Sequence, residues 1–382
     1  MSDNLFKDLF THYASFKQVH KTTQDLLVAD ENITNDVLEI LKTYHANVLT
    51  NRKDIAQQCH QLDIAHYFSD FDFTSIEFPL DCIVYRISKE RPVCHFVFNQ
   101  LTKQLKDQGT LIIAGKKNEG IKGYYQKLVK DLKFSGHLKK QKEHYIATLQ
   151  KTSLSSQARP LDDKNYQQLD QIEIDSPEFG HLSFYSKPGV YGWNKIDKGS
   201  HILWQTCMED MQKNGVKPSS VVDLGCGYGY LSMQVLSTYK NTTYKNTSYQ
   251  DTGYRDDTLT SLQQLHATDN NAAAIKCCKK NIQISHSTSE ITVSVSADDC
   301  GQSIGKEFDL LLSNPPFHQG FDHSKSLTDK FLKNAAKLLN AQGVAYFVVN
   351  AFIGIEKNAE KYFNNVRTIK NTGQFKVIKL TL

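Results

Sequence analysis

The sequence predicts an α/β protein of two doubly wound units in tandem, the first of them degenerate. Three observations carry this expectation. Apolar runs of strand length alternate with stretches of helical periodicity, which implies crossover connections over a largely parallel sheet. The 382 residues exceed one typical core, so two domains are expected. A polar stretch without periodicity, "KTSLSSQARPLDDKNY" at 151–166, separates two alternating regions and reads as a linker. The expected domains are therefore 1–165 and 166–382.

Residues 1 to about 70 read as helices. "NDVLEILKTYHANVL" has apolar positions at helical spacing, with Asn35 a candidate cap. From residue 80 the pattern changes. "DCIVYRIS" reads as a strand, "PVCHFVFNQLTKQLKDQG" as a helix closed by Gly109, and "TLIIAG" as a second strand. "GIKGYYQKLVKDL" is a helix and "EHYIATLQK" a strand. After the linker, "SSVVDLGCGYGYLSMQVL" and "QQLHATDNNAAAIKCCKKNIQI" each read as strand, turn and helix. "ITVSVSADD" and "EFDLLLSNPPF" are strands, "LTDKFLKNAAKLLNAQG" a helix, and "VAYFVVN" and "FKVIKLTL" the last strands. One segment breaks the rhythm. "YKNTTYKNTSYQDTGYRDDT" repeats roughly every five residues, with Tyr239, Tyr244, Tyr249 and Tyr254 in phase. It is too polar to bury a core and reads as an exposed surface insertion. Its lysines and tyrosines suit RNA contact, but a loop without function is the plainer reading.

Composition narrows the class. Hydrophobic residues make up 40% and charged residues 23%, the mixture of an ordinary globular chain. No apolar run approaches the ~20 residues that span a bilayer, and the N-terminus lacks the pattern of a signal peptide. Eight scattered cysteines without a C-x-x-C pair suggest a reducing, cytoplasmic setting and no metal site. A net charge of +4 permits nucleic-acid binding without requiring it.

"VVDLGCGYG" carries Gly225, Gly227 and Gly229 around Cys226. Glycines accept a positive φ and let backbone approach a ligand closely. After a strand, this pattern suits a dinucleotide or another adenosine cofactor, or merely a tight turn. Asp223 before it favours a cofactor with ammonium and sulfonium charges over a pyrophosphate. Asp269 ends the next strand, followed by Asn270. An acid there can take two ribose hydroxyls or cap the following helix. It is expected ~20 residues past the glycines but lies 40 past Gly229, most of the excess being the tyrosine repeat. Asp298 and Asp299, at the end of the third strand, are about equally placed for an adenine amino group, or serve as turn residues.

At "LLSNPPFHQG" a buried strand stops at Asn314, followed by Pro315, Pro316 and Phe317. Proline fixes φ and removes a donor, so the segment offers carbonyls and the Asn314 amide oxygen as acceptors. Two acceptors suit a planar exocyclic amine with two N–H bonds. Holding both protons aims the nitrogen lone pair at an electrophile, and Phe317 offers a face for a base to stack on.

"DLGCGYG" with "SNPPFHQG" resembles S-adenosyl-L-methionine-dependent N-methyltransferases with an (N/D)PP(Y/F) motif. With "PGVYGWNKIDKGS", "VVNAFIG" and "TGQFKVIKL" the chain resembles the ribosomal RNA small-subunit methyltransferase C family from Pro188 onward. That resemblance implies a Rossmann-like methyltransferase fold in both halves, the first having lost its cofactor turn near "TLIIAGKKNEGIKG". It implies Gly225, Gly227 and Asp269 for S-adenosylmethionine, and Asn314 with the prolines for the amine. It implies methylation of a guanine N2 in 16S rRNA within the 30S ribosomal subunit. The first domain, with Lys116, Lys117 and Glu119 between the glycines of its would-be turn, is expected to hold substrate and no cofactor. The repeat, and Trp193 with Asn194, depart from the family pattern. A related family acting on 23S rRNA shares N-P-P-F-H. A protein glutamine and a DNA adenine also present planar amines, and a non-catalytic RNA-binding assembly factor is the alternative of a different class.

Overall fold

The computed structural model describes residues 4–30, 33–176, 180–240, 262–285, 291–305, 308–316 and 321–382. The chain divides into two compact units, Met1–Gln168 and Leu169–Leu382. In the first, α1 (Asn4–Val19), β1 (Asp25–Ala29), α2 (Asn35–Thr43), β2 (Asn47–Thr50), α3 (Lys53–Gln61) and β3 (His66–Phe68) lead to β4 (Leu80–Arg86). Then come α4 (Arg91–Gln104), β5 (Leu105–Lys116), α5 (Ile121–Lys130), β6 (Ser135–Gln141) and β7 (His144–Gln150). The sheet order is β3-β2-β1-β4-β5-β7-β6. Strands β1 to β5 run parallel, and β7 and β6 close the sheet antiparallel.

The second unit opens with a hairpin of β8 (Asp170–Ser176) and β9 (Gly180–Ser186). It continues through α6 (Lys198–Asn214), β10 (Ser220–Leu224), α7 (Tyr230–Lys240), β11 (Gln264–Asp269), α8 (Ala272–Ser285) and β12 (Thr292–Ala297). Then follow β13 (Phe308–Ser313), α9 (Phe321–Leu338), β14 (Leu339–Asn350), α10 (Glu356–Ala359), β15 (Asn365–Asn371) and β16 (Phe375–Thr381). Its order, β12-β11-β10-β13-β14-β16-β15, repeats that of the first unit strand for strand. Both faces of this sheet are buried. Leu310 and Leu312 pack to one side with Leu203, Val235 and Ile275, and Val222 and Leu311 pack to the other with Phe331 and Leu332. That is why its central strands read as continuous apolar runs.

Several expectations need correction. The first 70 residues are not all helical: three short strands lie among the helices. The residues of β1 are buried without alternation, so period-2 patterning gave no signal. His45, at φ 52°, turns the chain between α2 and β2, which the helical reading ran together. Asn35 is not the cap. Thr34 holds that position, without a side-chain cap bond.

The helix expected to run to Gly109 ends at Gln104, and the one expected to run to Gly343 ends at Leu338. In each unit the fifth strand starts several residues before its glycine and shifts register against the fourth. A Cβ on Gly109 would lie 2.8 Å from the Lys106 carbonyl oxygen, and one on Gly343 2.7 Å from that of Phe308. These glycines mark strand irregularities, although a helix followed by glycine looks like a C-terminal cap.

The degenerate turn is also misplaced by the sequence reading. "AGKKNEGIKG" follows β5, whereas the strand in the place of β10 is β1. The segment after β1, "DENIT" at 30–34, contains no glycine. Finally, Tyr239 is not exposed. It ends up 4% accessible in the core of the second unit, on α7; residues 241–261 lie outside the described residues.

Candidate active site at the strand ends of the second unit

The order 3-2-1-4 places a topological switch between β10 and β13, and open α/β sheets take ligands there, beyond the carboxyl ends of the strands. The two strands pair in parallel, with Asp223 opposite Leu312. Two residues further on, Gly225 and Asn314 leave the sheet at the same level, and Ser313 Oγ donates to the Leu224 carbonyl at 2.7 Å. The register thus brings together two motifs distant in sequence.

The glycine turn is built into the neighbouring strand end. The N–H groups of Gly225 and Cys226 donate to the Thr268 carbonyl at 2.8 and 2.9 Å. Gly227 N–H donates to Asp269 Oδ2 at 2.9 Å. All three glycines have positive φ, but they differ in surroundings. A Cβ on Gly229 would sit 2.8 Å from Cys278 Sγ, and one on Gly225 3.5 Å from the Phe331 ring. Around a Cβ on Gly227 there is nothing within 4 Å. Gly229 therefore serves packing, and Gly227 leaves open space. Cys226 lends its backbone to the turn while its side chain is buried. The neighbouring Cys278 thiol and burial both push the Cys226 thiol well up, so it is a neutral core group.

Asp223 is fully buried. Its Oδ2 accepts from Ser232 N–H at 3.0 Å and Ser232 Oγ at 2.7 Å, fastening the first turns of α7. Its Oδ1 is buried without a partner, a costly state unless a ligand donor meets it. Burial pushes the carboxyl up to about 7, with Asp269 pushing the same way and the Ser232 bonds opposing. Between the ordinary carboxylate range and about 7, the folded chain holds a proton that the unfolded chain has lost. Stability from this group therefore falls as pH rises through that window.

Asp269 Oδ1 accepts from Asn271 N–H at 2.8 Å, and Asn271 Oδ1 accepts from Ala273 N–H at 2.8 Å. The side-chain bond into the first turn of α8 thus comes from Asn271, and Asp269 braces the glycine turn. Asn270, beside it, is half-buried. Asp298 and Asp299, equal by sequence, differ here. Asp299 is engaged by Lys330 of α9 and by Gln302 Nε2 at 2.9 Å. Asp298 accepts from Ser303 N–H at 3.0 Å and keeps a buried Oδ1 without a partner. That makes Asp298 the better acceptor for an amino group.

Asn314 is half-buried, Pro315 buried and Pro316 exposed. Phe317 lies outside the described residues. Sequence reasoning missed Asn281. Its Oδ1 accepts from Tyr185 N–H at 2.6 Å, and its Nδ2 donates to the carbonyls of Tyr185 and Tyr228, tying β9 to the glycine turn. The available signal was an asparagine interrupting an apolar helix face in "CCKKNIQI". Also missed was the cluster around Asp197 that holds Asn314. Among the described residues no group of three or more His, Cys, Asp or Glu side chains could hold a metal ion, and no helix is long and apolar enough to cross a membrane.

An unpaired buried Asp223 oxygen, an open cradle at Gly227 and an unpaired Asp298 oxygen fit the ammonium, backbone-hugging and amino ends of S-adenosylmethionine. The sheet order and these strand ends define a Rossmann-like methyltransferase. Family models agree: the methyltransferase small domain matches residues 181–252 and 257–379, and the methyltransferase small domain N-terminal model matches 15–174. The chain belongs to the methyltransferase small-domain family. It is similar to ribosomal RNA small subunit methyltransferase C of Haemophilus influenzae strain PittGG, 27% identical over 331 residues, 85% of this chain and 88% of that protein. The protein of the same name from Shewanella pealeana is 24% identical over 78% of this chain and 76% of its own length. A solved structure, T. thermophilus 16S rRNA N2 G1207 methyltransferase in complex with AdoMet and guanosine, covers 100% of this chain and 92% of its own, with a TM-score of 0.76 at 19% identity. The resemblance carried by the sequence motifs is borne out, as is the tandem fold.

Proposed function

We propose that the chain transfers a methyl group from S-adenosylmethionine to the exocyclic N2 amine of a guanine in 16S rRNA, on the assembled 30S subunit. The observation that carries this reading is the Asn314 carboxamide, level with the glycine turn on the adjacent strand. The names of the relatives, and the AdoMet and guanosine in the T. thermophilus enzyme, support the cofactor and the amine.

Asp223, Gly225, Gly227, Asp269, Asn270 and Asp298 would hold the cofactor. When bound, it supplies an electrophilic methyl group on a sulfonium. Asn314 Oδ1 and the backbone carbonyl of the Pro-Pro segment accept hydrogen bonds from the two amine N–H groups, which turns the nitrogen lone pair out of conjugation with the base. They also stabilise the positive charge that grows on that nitrogen. Once the methyl group has passed from sulfur to nitrogen, one of the two amine protons leaves to solvent. Phe317 would stack on the base. Tritium transfer from labelled cofactor into 30S particles, 50S particles, DNA and protein tests the assignment. Label should enter 30S particles. Label in another fraction would reassign the substrate, and failure to bind S-adenosylhomocysteine would favour a non-catalytic assembly factor.

The titration of Asp223 gives a second check. Its ionised form suits the ligand's ammonium, so S-adenosylhomocysteine should bind more tightly as pH rises from about 6 to about 8. Asp223→Asn should flatten that rise in isothermal titration. A flat profile in the unmodified chain would remove Asp223 from ligand contact.

The first unit is proposed to hold RNA through lysines. Lys116, Lys117, Lys122, Lys139, Lys140 and Lys142 do not form one patch, because successive residues of a strand face opposite sides. Lys140 pairs with Tyr145, over whose ring Lys122 Nζ lies at 4.9 Å. Lys139 sits on the other face, beside His12 and His137. Replacing Lys122 and Lys140, which meet at Tyr145, with glutamine should flatten the slope of log affinity against log salt by up to ~1.4 units, at roughly −0.7 per phosphate of single-stranded RNA. Filter binding over a salt series measures it. An unchanged slope in the folded variant would exclude this face.

A further inference from the structure

Asn314 does not hold its pose alone. Its Nδ2 donates to the Asp197 carboxylate and, at 2.9 Å, to Ser200 Oγ. Ser200 Oγ in turn donates to Asp197 Oδ2 at 2.9 Å. With its single proton spent there, the hydroxyl meets Asn314 with a lone pair. Both N–H bonds of the carboxamide thus go to acceptors. Asp197 also caps α6, its side chain accepting from Ser200 N–H at 3.3 Å. Between the two stands Gly199. A Cβ there would lie 3.4 Å from Asn314 Nδ2 and 3.3 Å from the Phe375 ring. The stretch Asp197-Lys-Gly-Ser200 is therefore a helix start shaped to the carboxamide, with small residues where Asn314 seats.

The chemistry of this seat fixes the orientation of the amide. A carboxylate can only accept hydrogen bonds. A flipped Asn314 would set Oδ1 against Asp197, acceptor against acceptor, and would leave Nδ2 facing the reacting amine, donor against donor. Asp197 selects the other flip and leaves Oδ1 as the unspent acceptor. An anion bound at the N–H end also draws the amide toward its charge-separated form, which strengthens Oδ1 as an acceptor.

We infer that Asp197 and Ser200 are positioning residues for methyl transfer, acting through Asn314: they lock its carboxamide with Oδ1 toward the substrate amine. The inference rests on the reading of Asn314 as the amine acceptor. It adds a residue 117 positions away that acts through its bond to the Asn314 carboxamide.

The decisive variant is Asp197→Asn. Asparagine is as good a helix cap as aspartate, so α6 keeps its start. The amide oxygen stays against Ser200 N–H, Ser200 Oγ and Asn314 Nδ2, which all meet one oxygen of Asp197. What is lost is the negative charge, so the Asn314 N–H end is held by a neutral acceptor and its flip is fixed more weakly. Under saturating substrates kcat should fall about 10- to 100-fold. KM for the RNA particle, affinity for S-adenosylhomocysteine and the thermal midpoint should stay unchanged. The double variant Asp197→Asn/Asn314→Ala should be no slower than Asn314→Ala, since residues acting as one unit are not additive. Ser200→Ala should slow transfer, and Ser200→Thr should restore most of the rate. Independently of turnover, the Asn314 side-chain amide resonances, assigned by their loss in Asn314→Ala, should be protected from exchange and lose that protection in Asp197→Asn. Full activity in Asp197→Asn beside a slow Asn314→Ala would overturn this inference and leave the role of Asn314 standing. Additive losses, or a rate loss matched by weakened cofactor binding, would overturn it as well. An active Asn314→Ala would take down both readings.

Discussion

Asn314→Ala is expected to bind S-adenosylhomocysteine as the unmodified chain does, and to transfer methyl groups at least ~100-fold more slowly. The separation follows from position. The groups with unpaired oxygens suited to the cofactor, Asp223 and Asp298, lie at the ends of β10 and β12. Asn314 leaves β13, and its Nδ2 faces Asp197 and Ser200, not the glycine turn. Removing the carboxamide takes away one acceptor proposed to matter as charge develops on the amine, and leaves Asp223, Asp298 and the glycine turn in place. Calorimetry and single-turnover transfer would measure the two halves. Equal losses in affinity and rate would sink the role.

Gly227→Leu should abolish cofactor binding for the opposite reason, with affinity for S-adenosylhomocysteine lowered at least ~100-fold, or about 2.7 kcal/mol. Gly227 has φ +56° and open space where a side chain would go. Leucine there would fill the cradle. The backbone strain of about 1–2 kcal/mol should lower the thermal midpoint by only about 2–8 °C in a unit of this size. Gly229→Ala makes the contrast. Its φ is +93° and its Cβ would meet Cys278 Sγ at 2.8 Å, so the smaller substitution should cost more stability. Cofactor affinity surviving in Gly227→Leu would show that the cradle is not the binding surface.

What the sequence disclosed, it disclosed where chemistry admits few residue types. Three glycines in five positions after an apolar run can hardly be other than a turn with positive φ. An asparagine before two prolines ends a strand in a way few structural needs explain. The hidden parts share one cause: sequence is local and the contacts are not. Asp197 resembles any other helix cap until β13 delivers Asn314 against it. Asp298 and Asp299 stayed tied until Lys330 on α9 engaged one of them. Gly109 and Gly343 misled because a glycine after a helix signals its end, whereas here each follows the irregular start of a strand. β1 and β2 were hidden by being short and largely buried on both faces, and β3 by having only three residues.

Each seven-stranded sheet draws every strand from its own unit, the first from residues 25–150. Among the described residues, the sheet of the first unit is therefore complete without a downstream strand. During synthesis at ~5–20 residues per second, it can reach its native state for roughly 10–40 s before the last strand of the second unit leaves the exit tunnel. Vectorial folding of this kind keeps the strands of one sheet out of the reach of the other while both would still be unpaired. That matters for two units with the same strand order, because mispairing between equivalent strands is the characteristic failure of tandem repeats.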